Sequence, residues 1–303
     1  MAMLMGVLSY FIVRAATPAS FRQEVIDAVQ LIQPMLIGAM LFVAFSKLRL
    51  SALRPRRWHA WGLIFQLSIA FAACSAIRCF APGSTTALVL ESVMLTFLCP
   101  TATAAVVVAG KLGARTESLA AYTVYSTLLS AASVPLLSSM LDADAAQSFA
   151  TTFFSVSLKV YPLLLIPLLL SQALRIVCPR AVEYVAHRQH IAFQLWIVAL
   201  TLAIATTARS LYHSTTPLSL QILIAFATLS MCIIQFRVGR NIGLPSQQPI
   251  CASQALGQKN TVLLIWLSCT FFSPEVATAG GFYSIWHNLY NSWQLGRAQG
   301  KKP

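Results

Sequence analysis

The stretch "LCPTATAAVVVAGKLGA", Leu98 to Ala114, continues an apolar run, yet it opens with Cys99-Pro100-Thr101 and places two threonines among alanines. A membrane-length segment is interrupted in its middle. Pro100 lacks an N–H and crowds the preceding turn, so a helix opens there. Opened backbone is tolerated at membrane depth only where protein or a wet cavity satisfies it. The freed carbonyls suit a cation, and the N-terminus of the restarted half-helix points partial positive charge at an anion. Thr101 and Thr103 add hydroxyls. Ala102, Ala104 and Ala105 allow another helix to approach closely.

The rest of the chain fits this frame. Of its 303 residues, 57% are hydrophobic and only 10% charged, with a mean hydropathy of +0.72. A water-soluble domain of this size needs more charge to cover its surface. Ten apolar runs emerge, at about 1–15, 27–47, 57–79, 84–112, 117–140, 152–178, 189–210, 216–236, 246–272 and 274–295. They are too long for barrel strands and lack strict alternation. The expected fold is therefore an all-α integral membrane protein of ten transmembrane helices.

The net charge of +13 could suggest nucleic acid, but the basic residues sit in short loops between apolar runs. Alternate loops hold Lys47–Arg57, Lys111 and Arg115, Arg175–Arg188, Arg237 and Arg240, and Arg297–Lys302, fifteen residues in all. The other side holds five: Arg14, Arg22, Arg78, Lys159 and Arg209. That asymmetry predicts cytoplasmic termini in an inner (cell) membrane. The seven cysteines are scattered without a CxxC pair and read as packing residues.

Ten spans divide into residues 1–150 (spans 1–5) and 151–303 (spans 6–10). The polar stretch Asp142–Ala150 lies between the halves. An odd number of spans per half inverts the second relative to the first, as in inverted-repeat transporters. The fourth span of each half is the interrupted one. In the second half it is "PSQQPICASQALGQKNTVLLIWLSCTFF", Pro245 to Phe272, with Gln254-Ala255-Leu256-Gly257-Gln258-Lys259-Asn260-Thr261 at its centre. Matching breaks at Pro100 and Gly257 point to a midplane binding site.

Lys259 lies about 20 Å inside span nine, a costly place for a charge. Glu91 lies about 10 Å into span four. It either pairs with Lys259 across the breaks or faces an outer cavity. In span ten, Asn288 and Asn291 can pack against the broken helices. His287 has no second ligand at i±4 and is not expected to bind a metal. No cofactor motif, nucleophile elbow, HExxH or Walker signature is present, so an enzyme is not expected.

"CPTATAA", "GQKNT" and "GGFYSIWHNLYNSWQL" resemble a bacterial branch of the bile acid:sodium symporter family. The resemblance rests on Cys99, Pro100, Thr103, Gly257, Lys259 and Asn260. It implies crossing broken helices 4 and 9, a panel domain from spans 1, 2, 6 and 7, and a core domain from spans 3–5 and 8–10. It also implies sodium-coupled uptake of an organic anion. Gln66 corresponds to a family glutamine near a sodium site. Ala105, Val106 and Ala255 stand where the family has side-chain oxygens, and Lys259 stands where it has a glutamine. Coupling to sodium, to protons or to nothing remains open on this reading.

The expected function is secondary active transport of a small or amphipathic organic anion by alternating access. Thr101, Thr103, Gln258, Lys259, Asn260 and Thr261 would bind substrate, and Gln66, Glu91 and Lys259 would form the cation or coupling site. The alternative is a non-transporting membrane ligand-binding or sensor protein on the same scaffold. The expected partners are the organic anion and membrane lipid, with no nucleic acid and a single chain as the working unit. Reporter fusions at Pro303 and near Ser20 should report opposite sides of the membrane. A periplasmic reporter at Pro303 would overturn the ten-span topology.

Overall fold

The computed structural model describes residues 2–48, 53–141, 149–213 and 217–299, which are almost wholly helical and contain no strand. The first half holds α1 (Ala2–Ala16), α2 (Arg22–Ser46), α3 (Arg57–Ile77), α4 (Thr85–Leu98), α5 (Ala104–Lys111) and α6 (Glu117–Leu141). The second holds α7 (Phe149–Val177), α8 (Pro179–His187), α9 (Gln189–His213), α10 (Leu218–Gly243), α11 (Pro249–Gly257), α12 (Thr261–Phe271) and α13 (Pro274–Gln299). Six of these, α2, α3, α6, α7, α9 and α10, are long and apolar enough to cross a membrane. The described chain is that of an all-α membrane protein. Leu31, Leu158, Ile176 and Phe226 are each more than 60% exposed, as a lipid-facing surface requires and an aqueous one does not favour.

The helices fall close to the apolar runs of the sequence, with two differences. α10 continues about two turns beyond residue 236, because Gly239 lies against α11 instead of ending the helix, which runs to Gly243. α8 was not expected. Its nine residues, "PRAVEYVAH", start on Pro179 at the first helical position and bury only Val182 among the described side chains. A run so short and polar gives no span signal. The expected divider Asp142–Ala150 lies mostly outside the described residues, and the 150/151 boundary falls in the first turn of α7. Arg49, Lys301 and Lys302 of the charge count are also outside the described residues.

Packing sorts the helices into two groups. α1 lies against α9, and α2 against α7 and α9. In the other group α3 packs on α4 and α6, α10 on α11 and α13, and α12 on α13. Contacts of α6 with α7 and of α13 with α9 join the groups. One end of α11 is clamped by its N-cap residue. Gln248 Oε1 accepts from Trp58 Nε1 at 2.8 Å and from Ser118 Oγ at 2.6 Å, while Trp58 stacks on Tyr122 at 5.1 Å.

The close approach of α10 to α11 depends on missing side chains. A Cβ on Gly239 would lie 2.4 Å from the Ala252 carbonyl oxygen, and one on Gly257 would lie 2.3 Å from Phe236 Cγ. Small residues at such crossings let backbones meet directly. Gly257→Ala should therefore destabilise the protein by about 1–3 kcal/mol through overpacking. Adding Phe236→Ala should recover part of the loss. Thermal melts of the single and double variants in detergent check this, and a single variant that melts with the wild type would refute it.

Candidate functional site

The helix ends at the two breaks are completed by each other. In a continuous helix the N–H groups of Thr101 and Ala102 would donate to Phe97 and Leu98. Here the Thr101 N–H donates to Ser126 Oγ at 3.2 Å and the Ala102 N–H to the Gln258 carbonyl at 2.8 Å. The Asn260 N–H donates to the Pro100 carbonyl at 2.9 Å. Thr101 and Lys259 thus face each other as an antiparallel bridge, the only such pairing among the described residues. Pro100 is tolerated because the bridge uses its carbonyl and asks for no N–H.

The freed carbonyls of α4 find partners from other helices. Phe97 O accepts from Gln66 Nε2 at 3.2 Å and from Lys259 Nζ at 3.4 Å. Leu98 O accepts from Ser130 Oγ, and Cys99 O accepts from Lys259 Nζ at 3.1 Å. Tyr122 Oη donates to Gln66 Oε1 at 2.6 Å and so fixes which face of the amide donates. The α11 end mirrors this. Ala255 O accepts from Thr101 Oγ1 at 2.6 Å, and Gly257 O accepts from Tyr283 Oη at 2.8 Å, with Gln235 Nε2 on the same phenol oxygen at 3.0 Å.

Lys259 is fully buried, and its ammonium sits on the C-terminal carbonyls of α4, the negative end of that helix dipole. Among the described residues no ion pair joins Lys259 to Glu91. The carboxylate lies eight residues before Cys99, about 12 Å along the helix. Of the two options for Glu91, the pairing with Lys259 is therefore not the one formed. No group of residues here could hold a metal through His, Cys, Asp or Glu, among the described residues. The oxygen set that a hard cation needs is also missing. Ala105 and Ala255 are buried without side-chain oxygens, and the Phe97 and Cys99 carbonyls already carry the ammonium. A sodium ion does not fit these residues.

The helix starts are different. α5 begins at Ala104 and α12 at Thr261, and a cavity of about 20 Å³ adjoins both starts. Thr103, Gln258, Lys259, Asn260 and Thr261 form one wall of it. Met40 of α2, Trp196 of α9, and Ser284, His287 and Asn288 of α13 face them, with Ala102 and Val262 completing the lining. Gln258 Oε1, Ser284 Oγ and His287 Nδ1 are buried there without hydrogen-bond partners. Orphaned buried polar atoms are rare and mark a place for a ligand or an ordered water. The space is enough for one water.

Of the residues expected at the site, Thr103, Gln258, Lys259, Asn260 and Thr261 meet at this cavity. Asn260 also caps α12, accepting from the Leu263 N–H at 3.2 Å. Thr101 and Gln66 do not line it and instead hold the breaks together. Asn291 packs against the broken helix as expected, accepting from Gln254 Nε2 at 3.0 Å. Ser284 and His287 were missed as cavity residues. Their signal was present, because 284, 287, 288 and 291 form one polar stripe at helical spacing. No family model matches the chain, and no curated protein does.

Lys259→Met should leave the buried Cys99 carbonyl without a donor, and the Phe97 carbonyl with Gln66 alone, and cost about 1–3 kcal/mol. Lys259→Gln, which keeps one donor group, should cost less. Thermal melts of both variants test this. Equal melting of Lys259→Met and wild type would show that the ammonium does not hold the break.

Proposed function

We propose that the chain is a secondary transporter of a small or amphipathic organic anion, built on the plan that its sequence resembles in the bile acid:sodium symporter family. In this reading α4 with α5, and α11 with α12, are single interrupted spans, α1 and α13 also cross, and ten spans form two inverted five-helix repeats. α1, α2, α7 and α9 make the panel, and the remaining spans make the core. The protein lies in the inner membrane with cytoplasmic termini.

One observation carries the reading. At the paired breaks the helix C-termini are closed by protein groups, Lys259 above all, while two helix N-termini flank a cavity holding orphaned polar atoms. A site with its negative ends covered by protein donors and two helix starts beside its cavity favours an anion. Thr103, Asn260 and Thr261 would hold its acidic group. A cavity with room for one water corresponds to a closed state, and rocking of panel against core would open it to substrate.

Lys259 takes the place of a coupling cation, so substrate binding should depend little on sodium. Uptake into proteoliposomes, screened over bile acids, keto acids and pantoate-like acids, should proceed with and without a sodium gradient. Calorimetric affinities in sodium and choline buffers should agree within about threefold, a difference below about 0.7 kcal/mol. A tenfold gain in sodium would overturn the built-in-cation reading. Saturable binding without uptake of any anion would favour the non-transporting binding protein.

A further inference from the structure

A second cavity, of about 800 Å³, lies along α2 and α9 from the small one toward the end where α1 finishes and α2 begins. Arg14, Arg22, Lys159 and Arg209 all line it, four of the five basic residues that the charge pattern assigns to the outer side. No carboxylate lines it among the described residues. The face of α2 that looks in carries Arg22, Val25, Ile26, Val29, Gln30 and Gln33. Glu24 falls on the opposite face by helical spacing; Asp27, at the edge of the lined face a heptad before Pro34, is not part of the lining and accepts from Gln23 Nε2 at 2.8 Å. Glu275, at the start of α13, is not part of the lining.

Among the described residues, Arg14, Lys159 and Arg22 meet neutral partners. Arg14 stacks over the Tyr212 ring at 3.9 Å, and the Lys159 ammonium lies 5.6 Å from the Phe271 ring. Arg22 donates to the Thr17 and Arg14 carbonyls at 3.3 and 3.2 Å, closing the end of α1. At the inner end of the cavity Gln33 is only 4% exposed, and its Nε2 has no hydrogen-bond partner. A buried amide donor without an acceptor, beneath a rim of four cations, is what a bound acceptor-rich group would satisfy. The volume suits a ligand of drug size, and Val25, Val29, Leu202 and Trp266 offer it an apolar wall.

We infer that this cavity is a second anion site, distinct from the one at the helix breaks, for a soluble organic anion bearing two or more negative charges on an apolar body. A single carboxylate would leave most of the rim charge unmatched. The anion enters at the cationic rim and rests against the apolar wall with Gln33 at its inner end. The site shares α2 and α9 but no lining residue with the proposed transport site, and its binding does not require transport.

Naphthalene mono-, di- and trisulfonates test this, since they keep one apolar body and vary the charge. Titration calorimetry on the full chain in zwitterionic lipid nanodiscs should show affinity rising at least tenfold from mono- to trisulfonate. It should fall as salt is added. Equal affinity across the series overturns the proposal without any variant. The double variant Lys159→Gln/Arg209→Gln spares the Arg22 contacts and should lower trisulfonate affinity at least tenfold, with an unchanged thermal melt as the folding check. Wild-type affinity in that variant also overturns it. In discs of anionic phospholipid at matched ionic strength, affinity should stay within tenfold. A larger loss would overturn the soluble-ligand assignment and give the cavity to lipid headgroups. The measurement is of equilibrium binding, so its failure leaves the uptake result at the helix breaks to stand or fall separately.

Discussion

Everything at the centre of this protein depends on two helix ends that cannot satisfy themselves. Pro100 stops α4 in apolar surroundings, and α11 stops at Gly257. Each leaves carbonyls without their usual donors, a state costing a few kcal/mol per group in the absence of water. The answer is reciprocal. Lys259, from the second break, covers Phe97 and Cys99 of the first, and Thr101, from the first break, covers Ala255 of the second. Two backbone hydrogen bonds on either side of the Thr101–Lys259 pair set the register. The surrounding polar residues, Gln66, Ser126, Ser130, Tyr122 and Tyr283, complete the same accounting.

This arrangement separates two electrostatic tasks. The negative helix ends are used up internally by a lysine and by hydroxyl donors. The positive ends, at Ala104 and Thr261, face the small cavity with Gln258, Ser284 and His287. The Lys259 side chain is held by carbonyl oxygens at the end of α4, with no ion pair to a carboxylate among the described residues. On the proposed transporter reading, Lys259 performs permanently the neutralising role that a bound cation performs transiently, which removes a reason to couple transport to sodium.

The all-helical membrane character was legible because the apolar runs are long, six of them forming helices of membrane length, and proline and glycine at the two interruptions have a direct backbone meaning. The residues around them were legible as polar groups in apolar runs. Their division of labour was not. Thr101 and Thr103 look equivalent in sequence, but a two-residue offset turns one toward Ala255 and leaves the other at the cavity. Glu91 and Lys259 invite pairing by charge, whereas depth along α4 keeps them apart. Ser284 belongs to a polar stripe that the sequence displays, but only packing shows that its hydroxyl is orphaned at the cavity. The larger cavity was invisible for a different reason: Arg14, Arg22, Lys159 and Arg209 belong to four helices, and no local pattern brings them together.

The reciprocal bridge also sets a schedule for making the protein. The donor for Cys99 lies 160 residues later in the chain. At ribosomal speeds of roughly 5–20 residues per second, the first break waits about 8–30 s for its lysine. During that interval the first half sits in the membrane with opened carbonyls that only Gln66, Ser130, water or the insertion machinery can serve. The centre of the protein is therefore finished late: its lysine arrives with the ninth expected span, and the donor for Gly257 with α13.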